Sequence, residues 1–290
     1  MISKINKLPS PRLFVIGDSF SSPPRSGEVA TMWTSLLSKK LSNYLGKPTP
    51  VVNGSLHGSS QTWCWGVLQQ WLESCITPDD YLVIILTDPG RYWFVEDRPD
   101  LSNSHIIDLD QYVGSDVSNA IASYIQHIQR PSLDIIHLVD RLGLLAYYVL
   151  NRKLRRPILI KAFEQEVVHA KNFKELNWAT GTLLNVQNSE FKNRADHRTF
   201  WRGLDARYNH LCLSNHEILS NKIFSAITND TEIDLTTGFI QDILDSSTIS
   251  DNEFCKKELD MYELEVTLKQ LKSNIPISSW RERMLARKGK

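Results

Sequence analysis

Short apolar runs alternate along this chain with stretches whose apolar residues recur every three or four positions. The clearest run, Tyr81 to Leu86, is apolar throughout, which is typical of a central strand buried on both faces. Four other segments are predicted as strands: Arg12 to Ile16, Pro50 to Val52, Ile158 to Ile160 and Leu183 to Val186. Strands that alternate with helices favour a parallel α/β sheet.

The segments with helical spacing of apolar residues lie between these runs. They predict helices at about 31–45, 60–75, 116–129, 133–154 and 217–227, with Pro131 breaking the third from the fourth. The pattern as a whole predicts an α/β fold, specifically a flavodoxin-like three-layer α/β/α domain with a mainly parallel sheet, plus a helical C-terminal extension. The predicted boundaries are 10–228 for the domain and 229–290 for a linker and the extension.

The region after about residue 229 changes character. Residues 229–252 are rich in Thr, Ser, Asp and Asn. Apolar residues then recur at alternating spacings of three and four: Met261, Leu264, Leu268, Leu271 and Ile275. This pattern of about two heptads predicts a helix that either packs onto its own domain or binds a partner or a second copy.

Composition narrows the function classes. The 33 Lys and Arg residues balance the 33 Asp and Glu residues, so charge gives no reason to expect a nucleic-acid or membrane partner. The four cysteines lack the close spacing of a zinc or redox pair, and we expect no metal and no cofactor. The N-terminal apolar run, Leu13 to Ile16, is too short for an export signal, so a cytoplasmic location is expected.

Candidate chemistry begins where the first predicted strand ends, at Gly17-Asp18-Ser19. A serine at the carboxyl end of a parallel strand lies where α/β sheets bind their ligands. The second strand leads into Asn53-Gly54-Ser55-Leu56-His57-Gly58, and the third ends in Leu86-Thr87-Asp88. Asn209-His210 precedes the last predicted helix. These blocks carry polar groups suited to nucleophilic catalysis.

The order of these blocks resembles that of the SGNH (GDSL-type) hydrolases, which cleave esters and thioesters, including acyl groups on carbohydrates. IGDSF is similar to their nucleophile block, NGSLHGS to their second block and NHLCLSNHEIL to their histidine block. The resemblance implies that Ser19 is the nucleophile and His210 its general base. It also implies that the N–H groups of Ser19 and Gly58 bind the oxyanion, with Asn53 in the pocket.

Two positions depart from the family pattern. The usual acid position, three residues before the histidine, holds Arg207; Asp205 is the predicted substitute, with Asp196 or a backbone carbonyl as alternatives. The third block reads LTDPGR and has no Asn, so Thr87 is the predicted third oxyanion donor and Arg91 is predicted to compensate the charge of Asp88. LT followed by Arg, with NHL…NH, is similar to variants encoded by bacteriophages.

Other residues have both a functional and a plain interpretation. His57 either lines the pocket or faces solvent, and His216 is a second, less favoured base. Three arginines spaced by four, Arg194, Arg198 and Arg202, form either an anion-binding stripe or a solvated helix face. Aromatic side chains near the second and third blocks either fill the core or stack on a sugar; they are Trp63, Trp65, Trp71, Tyr92 and Trp93.

The sequence is compatible with two functions. The first is a serine esterase acting on an ester or carbohydrate substrate, for which the retained Ser, Gly and His argue. The second is a catalytically degraded binding or structural protein on the same fold, such as a phage virion component with a virion partner at its C-terminal helix. The changes at Arg207 and in the third block argue for the second.

Overall fold

Five parallel strands form the centre of this protein. The computed structural model describes residues 2–22, 32–89, 91–92, 101–102, 115–129, 131–165, 172–192 and 208–244. The strands are β1 (Leu13–Ile16), β2 (Val51–Asn53), β3 (Tyr81–Leu86), β4 (Ile158–Lys161) and β5 (Asn177–Thr182). Their order across the sheet is β2-β1-β3-β4-β5, and every neighbouring pair is parallel. The prediction of a mainly parallel sheet with helices is confirmed.

Seven α-helices lie in the described part of the chain. They are α1 (Ile2–Ile5), α2 (Trp33–Leu45), α3 (Gln61–Ser74), α4 (Ser115–His127), α5 (Pro131–Asn151), α6 (Leu183–Ser189) and α7 (Leu213–Asn229). A short antiparallel pair, Arg91–Tyr92 with Leu101–Ser102, follows β3. Pro131 begins α5 rather than merely breaking a helix, because the first helical position needs no N–H donor.

Strand periodicity divides the core into two halves. Side chains of successive strand residues point to opposite faces, so Phe14 and Ile16 pack with α3 and α5, while Leu13 and Val15 pack with α2 and α7. All four are fully buried. Helices therefore cover both faces of the sheet, which gives three layers.

One predicted strand is wrong. Leu183 to Val186 lies in helix α6, and the fifth strand is the preceding Asn177–Thr182. The Thr182 side chain caps α6 by accepting a hydrogen bond from the backbone N–H of Asn185 at 3.2 Å. Since β5 is an edge strand and only partly buried, it needs no continuous apolar run.

The chain does not leave the domain at residue 228. Beyond α7, Asp234 bridges Thr180 of β5, and Leu244 bridges Phe191. Ile233 and Leu235 are buried against the α2 and α7 face of the sheet. Residues 233–244 thus belong to the packed domain, while the helix predicted around 261–275 lies outside the described residues.

Candidate active site

The strand order creates a crevice between β1 and β3. The chain passes from β1 outward to β2 and then returns to β3 on the other side of β1, which makes this the topological switch point of the sheet. The loops after both strands open at their carboxyl ends. Ser19 follows β1 and Thr87 follows β3, so both predicted site residues lie at this crevice.

The turn that carries Ser19 is tightly packed. A Cβ on Gly17 would lie 2.5 Å from Cβ of Ile85 and 2.7 Å from Oγ of Ser21, so only glycine fits. The Ser21 N–H donates to the carbonyl of Asp18 at 3.0 Å and closes the turn. Ser19 itself is 6% exposed. The nucleophile candidate therefore sits on a rigid turn with a narrow opening to solvent.

The loop after β2 packs directly on this turn. Asn53 donates through Nδ2 to the carbonyl of Ser21 at 2.7 Å, and its Oδ1 accepts from the Ser55 N–H at 2.9 Å. The carbonyl of Gly17 accepts from the Leu56 N–H at 3.1 Å and from the Ser59 hydroxyl at 2.9 Å. Asn53 thus connects the two loops by hydrogen bonds.

Two further predicted residues lie on this second loop. Gly58 adopts a φ of 68°, in the left-handed region that glycine enters without strain. His57 Nε2 lies 3.1 Å from the hydroxyl oxygen of Ser22. His57 is therefore held against the Ser19 turn instead of extending away from it.

Asp18, which follows β1, and Arg91, which follows β3, form an ion pair. Arg91 Nη1 is 3.1 Å from Oδ2 of Asp18, whose side chain is fully buried. The Thr87 hydroxyl donates to the same Oδ2 at 2.9 Å and accepts from Arg91 Nη1 at 2.9 Å. A carboxylate is only an acceptor, so the proton of Thr87 is directed at Asp18.

This network changes the roles expected for two residues. In this arrangement Thr87 does not present its proton to an oxyanion, which corrects the sequence-based expectation. Arg91 compensates the charge of Asp18, whereas the sequence suggested Asp88. No local pattern marked Asp18 as its partner, since the pair spans 73 positions of the chain.

The histidine block reaches the Ser19 turn through Asn209. Asn209 Nδ2 donates to the carbonyl of Ser19, and it also lies 3.4 Å from the carbonyl and 3.2 Å from the hydroxyl oxygen of Ser22. Both Asn209 (φ 49°) and His210 (φ 62°) are left-handed, a conformation that non-glycine residues adopt at a cost. The His210 ring packs on Phe20 with centroids 5.1 Å apart.

The alternative histidine lies on α7, and a buried acid at the end of α6, Glu190, reaches the N-terminus of that helix. His216 is 1% exposed within α7. Glu190 is fully buried, and at the N-terminus of α7 its carboxylate accepts from the Cys212 N–H at 3.0 Å and from Asn215 Nδ2. A negative charge at a helix N-terminus is favourable. The sequence carried no signal for this role of Glu190, because its partners are more than 20 residues away.

The aromatic candidates separate into two groups. Trp63 and Trp71 are 5% and 1% exposed and belong to the core, so they are not available to stack on a sugar. Trp65 is partly buried, and Tyr92 donates its hydroxyl to Asp134 at 3.3 Å. Several predicted residues lie outside the described residues: Trp93, Arg194, Asp196, Arg198, Arg202, Asp205 and Arg207.

The described ranges were also compared with the requirements of a metal site and of a membrane span, and they meet neither. They contain no group of three or more His, Cys, Asp or Glu side chains arranged to hold a metal ion. None of their helices combines the length and apolar character needed to cross a bilayer. Burial raises the pKa of the Cys64 thiol to about 12, which makes it a packing residue.

Comparison with known proteins adds no relative. No family model, no curated protein and no solved structure matches this chain.

Proposed function

We propose that this protein is a serine hydrolase of the SGNH type that cleaves an ester, with Ser19 as nucleophile and His210 as general base. The observation that carries the proposal is the hydrogen bond from Asn209 to the carbonyl of Ser19. It joins residues 190 positions apart, and one is next to the candidate base while the other is the candidate nucleophile. The two consecutive left-handed residues at the same point support it, because such strain tends to persist at functional sites.

The reaction follows from these groups. His210 removes the proton from the Ser19 hydroxyl as its oxygen attacks the carbonyl carbon of the ester. The N–H groups of Ser19 and Gly58 stabilise the oxyanion that forms. Collapse of this intermediate breaks the bond to the alcohol, which takes the proton from His210. Water then attacks the acyl-enzyme in the same way and releases the acid.

The fold agrees with this assignment. The strand order 2-1-3-4-5 is that of flavodoxin-like doubly wound sheets, whose ligands bind at the switch point between the first and third strands. The acid partner of His210 remains a prediction, with Asp205 first. If Asp205→Asn keeps nearly the full rate of hydrolysis, Asp205 is not the acid.

A fluorophosphonate probe tests the proposal, because it reacts only with an activated serine. We expect mass spectrometry to locate the label on Ser19, and expect Ser19→Ala and His210→Ala to abolish it. His137→Ala is the matched control, since His137 is exposed on α5. A label that survives His210→Ala but is lost in a folded His216→Ala variant would mean that His216 is the base.

The substrate class is proposed from the same resemblance. An ester of a carbohydrate, such as an O-acyl group, is the first candidate. We expect wild-type protein to hydrolyse p-nitrophenyl acetate and, more efficiently, an O-acetylated saccharide. Equal kcat/KM for both substrates would argue against a carbohydrate.

The second candidate is a catalytically degraded SGNH-type protein with a binding or structural role, such as a virion component. The low exposure of Ser19 and the commitment of the Thr87 proton to Asp18 favour it. On this proposal the folded wild-type protein shows neither labelling nor hydrolysis. Size-exclusion chromatography of the full chain and of a chain ending at residue 244 would then test for self-association through the C-terminal region.

A further inference from the structure

A site for acyl transfer needs hydrogen-bond donors at the position where the oxyanion forms. The N–H groups of Ser19 and Gly58 are two candidates. The Thr87 hydroxyl is not a third, because its proton is donated to Asp18 at 2.9 Å. Another donor near the end of β3 would therefore have to come from a different side chain.

Arg91 is held rigidly at this point. Its Nη1 is fixed by Asp18 at 3.1 Å and by the Thr87 oxygen at 2.9 Å. Its guanidinium carbon lies 4.9 Å from the centroid of the Phe163 ring, a cation–π distance. Side-chain atoms of Arg91 remain 12% exposed. The side chain is thus pre-oriented without being fully buried.

Only part of the hydrogen-bonding capacity of Arg91 is used. A guanidinium carries five N–H donors. Within the described ranges, the side-chain bonds of Arg91 all start from Nη1, so Nε and Nη2 have no protein acceptor there. Arg91 binds Asp18, the residue directly before Ser19, which brings the guanidinium to the nucleophile turn.

We propose that Arg91 is a catalytic residue that donates from Nη2 or Nε to the oxyanion of the intermediate formed at Ser19. This inference rests on the proposed hydrolase function and extends it. The ion pair with the fully buried Asp18 makes the guanidinium tolerable in the free protein. When the oxyanion and the imidazolium of His210 form together, the two new charges are opposite in sign, and on this proposal a hydrogen bond from Arg91 stabilises the negative one.

The experiment compares Arg91→Lys with wild type. Lysine keeps the charge and can pair with Asp18, but it lacks the planar fork that serves two acceptors in different directions. We expect kcat for p-nitrophenyl acetate and the labelling rate at Ser19 to fall by about 10²–10³, as for the loss of one oxyanion donor, with KM within about threefold. Arg156→Lys, at the exposed Arg156–Asp230 pair, is the control and should retain both rates.

Two more variants keep the test decisive if a single substitution unfolds the protein. Asp18→Asn/Arg91→Gln removes both charges and leaves none unpaired, and it should lose kcat to the same extent as Arg91→Lys. Arg91→Ala should be accelerated by added guanidinium ion at millimolar concentration, whereas Arg156→Ala should not. Equal acceleration of both alanine variants would count against the proposal.

The outcomes separate the two proposals. If wild-type protein is not labelled at Ser19, the hydrolase function fails and the role of Arg91 fails with it. If wild type is labelled, and folded Arg91→Lys or the double variant keeps kcat and labelling within about threefold, only the role of Arg91 is overturned.

Discussion

Replacing Asn209 by alanine removes the amide that joins the His210 turn to the Ser19 turn. The two Nδ2 hydrogens serve the carbonyl of Ser19 and the carbonyl and hydroxyl oxygens of Ser22, and Asn209 is 1% exposed. Each hydrogen bond contributes about 1 kcal/mol net. Without Asn209 the buried Ser19 carbonyl keeps the 3.4 Å bond from the Ser22 hydroxyl, which is too long to replace the amide, so its weakened pairing costs about as much again. We therefore expect a loss of at least 2 kcal/mol from the side chain alone.

The backbone adds a separable contribution. Asn209 has φ 49° and ψ 26°, and alanine in this left-handed region costs roughly 1–2 kcal/mol. Glycine avoids that cost, but it makes the unfolded chain more flexible, which destabilises the folded state by about 0.4–1 kcal/mol. Asn209→Ala should thus lose about 3 kcal/mol and Asn209→Gly about 0.5–1 kcal/mol less.

Asn209→Asp sharpens the test, because aspartate tolerates the same backbone conformation and has the same shape. Its carboxylate has no hydrogen to donate and would face the carbonyl oxygens of Ser19 and Ser22. We expect it to be the least stable of the three variants at pH 7 and to recover in part as the carboxyl protonates.

Urea unfolding followed by tryptophan fluorescence measures these differences, and labelling of Ser19 in folded protein measures the effect on the site. We expect labelling to fall in all three variants. The reasoning is refuted if Asn209→Ala loses less than about 1 kcal/mol, or if Asn209→Gly is less stable than Asn209→Ala.

Three further perturbations follow from contacts elsewhere in the domain. Gly17→Ala should destabilise the protein by about 1–3 kcal/mol in thermal unfolding, because its Cβ would lie 2.5 Å from Ile85 Cβ; the control Gly143→Ala meets only ordinary contacts and should be neutral or stabilising. Burial raises the pKa of Asp80, but hydrogen bonds from Arg12 and Thr77 outweigh it and leave the pKa below its usual value. Asp80 therefore stabilises the fold above an ordinary carboxyl pKa of about 4, and this contribution is lost as pH falls through the lowered value. Asp80→Asn should cost about 3–5 kcal/mol in urea unfolding at pH 7, since it leaves Arg12 buried without a counter-charge, and a variant as acid-sensitive as wild type would contradict this. Because burial raises the pKa of Cys64 to about 12, iodoacetamide at pH 8.5 should leave Cys64 unmodified in folded protein and modify it in urea, as peptide mass spectrometry would detect.

Several elements could be predicted because their signals are local. Leu13–Ile16 and Tyr81–Leu86 are apolar on both faces, and they form strands with helices packed on each side. Gln61–Ser74 carries a helical period and is capped by Ser60, whose side chain accepts from the Trp63 N–H. The strand at Asn177–Thr182 was missed because an edge strand needs little apolar surface. The apolar segment Leu183–Val186 was predicted as a strand, but it forms a helix that is capped at its N-terminus by Thr182.

In the candidate site, too, some features could be predicted from the sequence and others could not. The order of the polar blocks along the chain predicted that the loops after the first three strands share one edge of the sheet, and it left His57 either in the pocket or facing solvent. In the structure His57 lies 3.1 Å from Ser22, and Asn209 of the histidine block donates to the carbonyl of Ser19. The acceptor of the Thr87 proton could not be predicted from the sequence, because it is Asp18, 69 residues away, and because Arg91 takes part in the same network.

By itself, the sequence determined the alternation of strands and helices and the set of polar loops at the strand ends. Both can be read from neighbouring residues: the side-chain period identifies each element, and the order of the elements along the chain places the polar loops at the strand ends. Only the tertiary structure decided that Asp18 pairs with Arg91, that Trp63 and Trp71 are core, and that residues 233–244 close onto the domain. The reason is that each of these outcomes is a contact between distant segments, where burial and hydrogen-bond satisfaction select the partner and no local pattern records the choice.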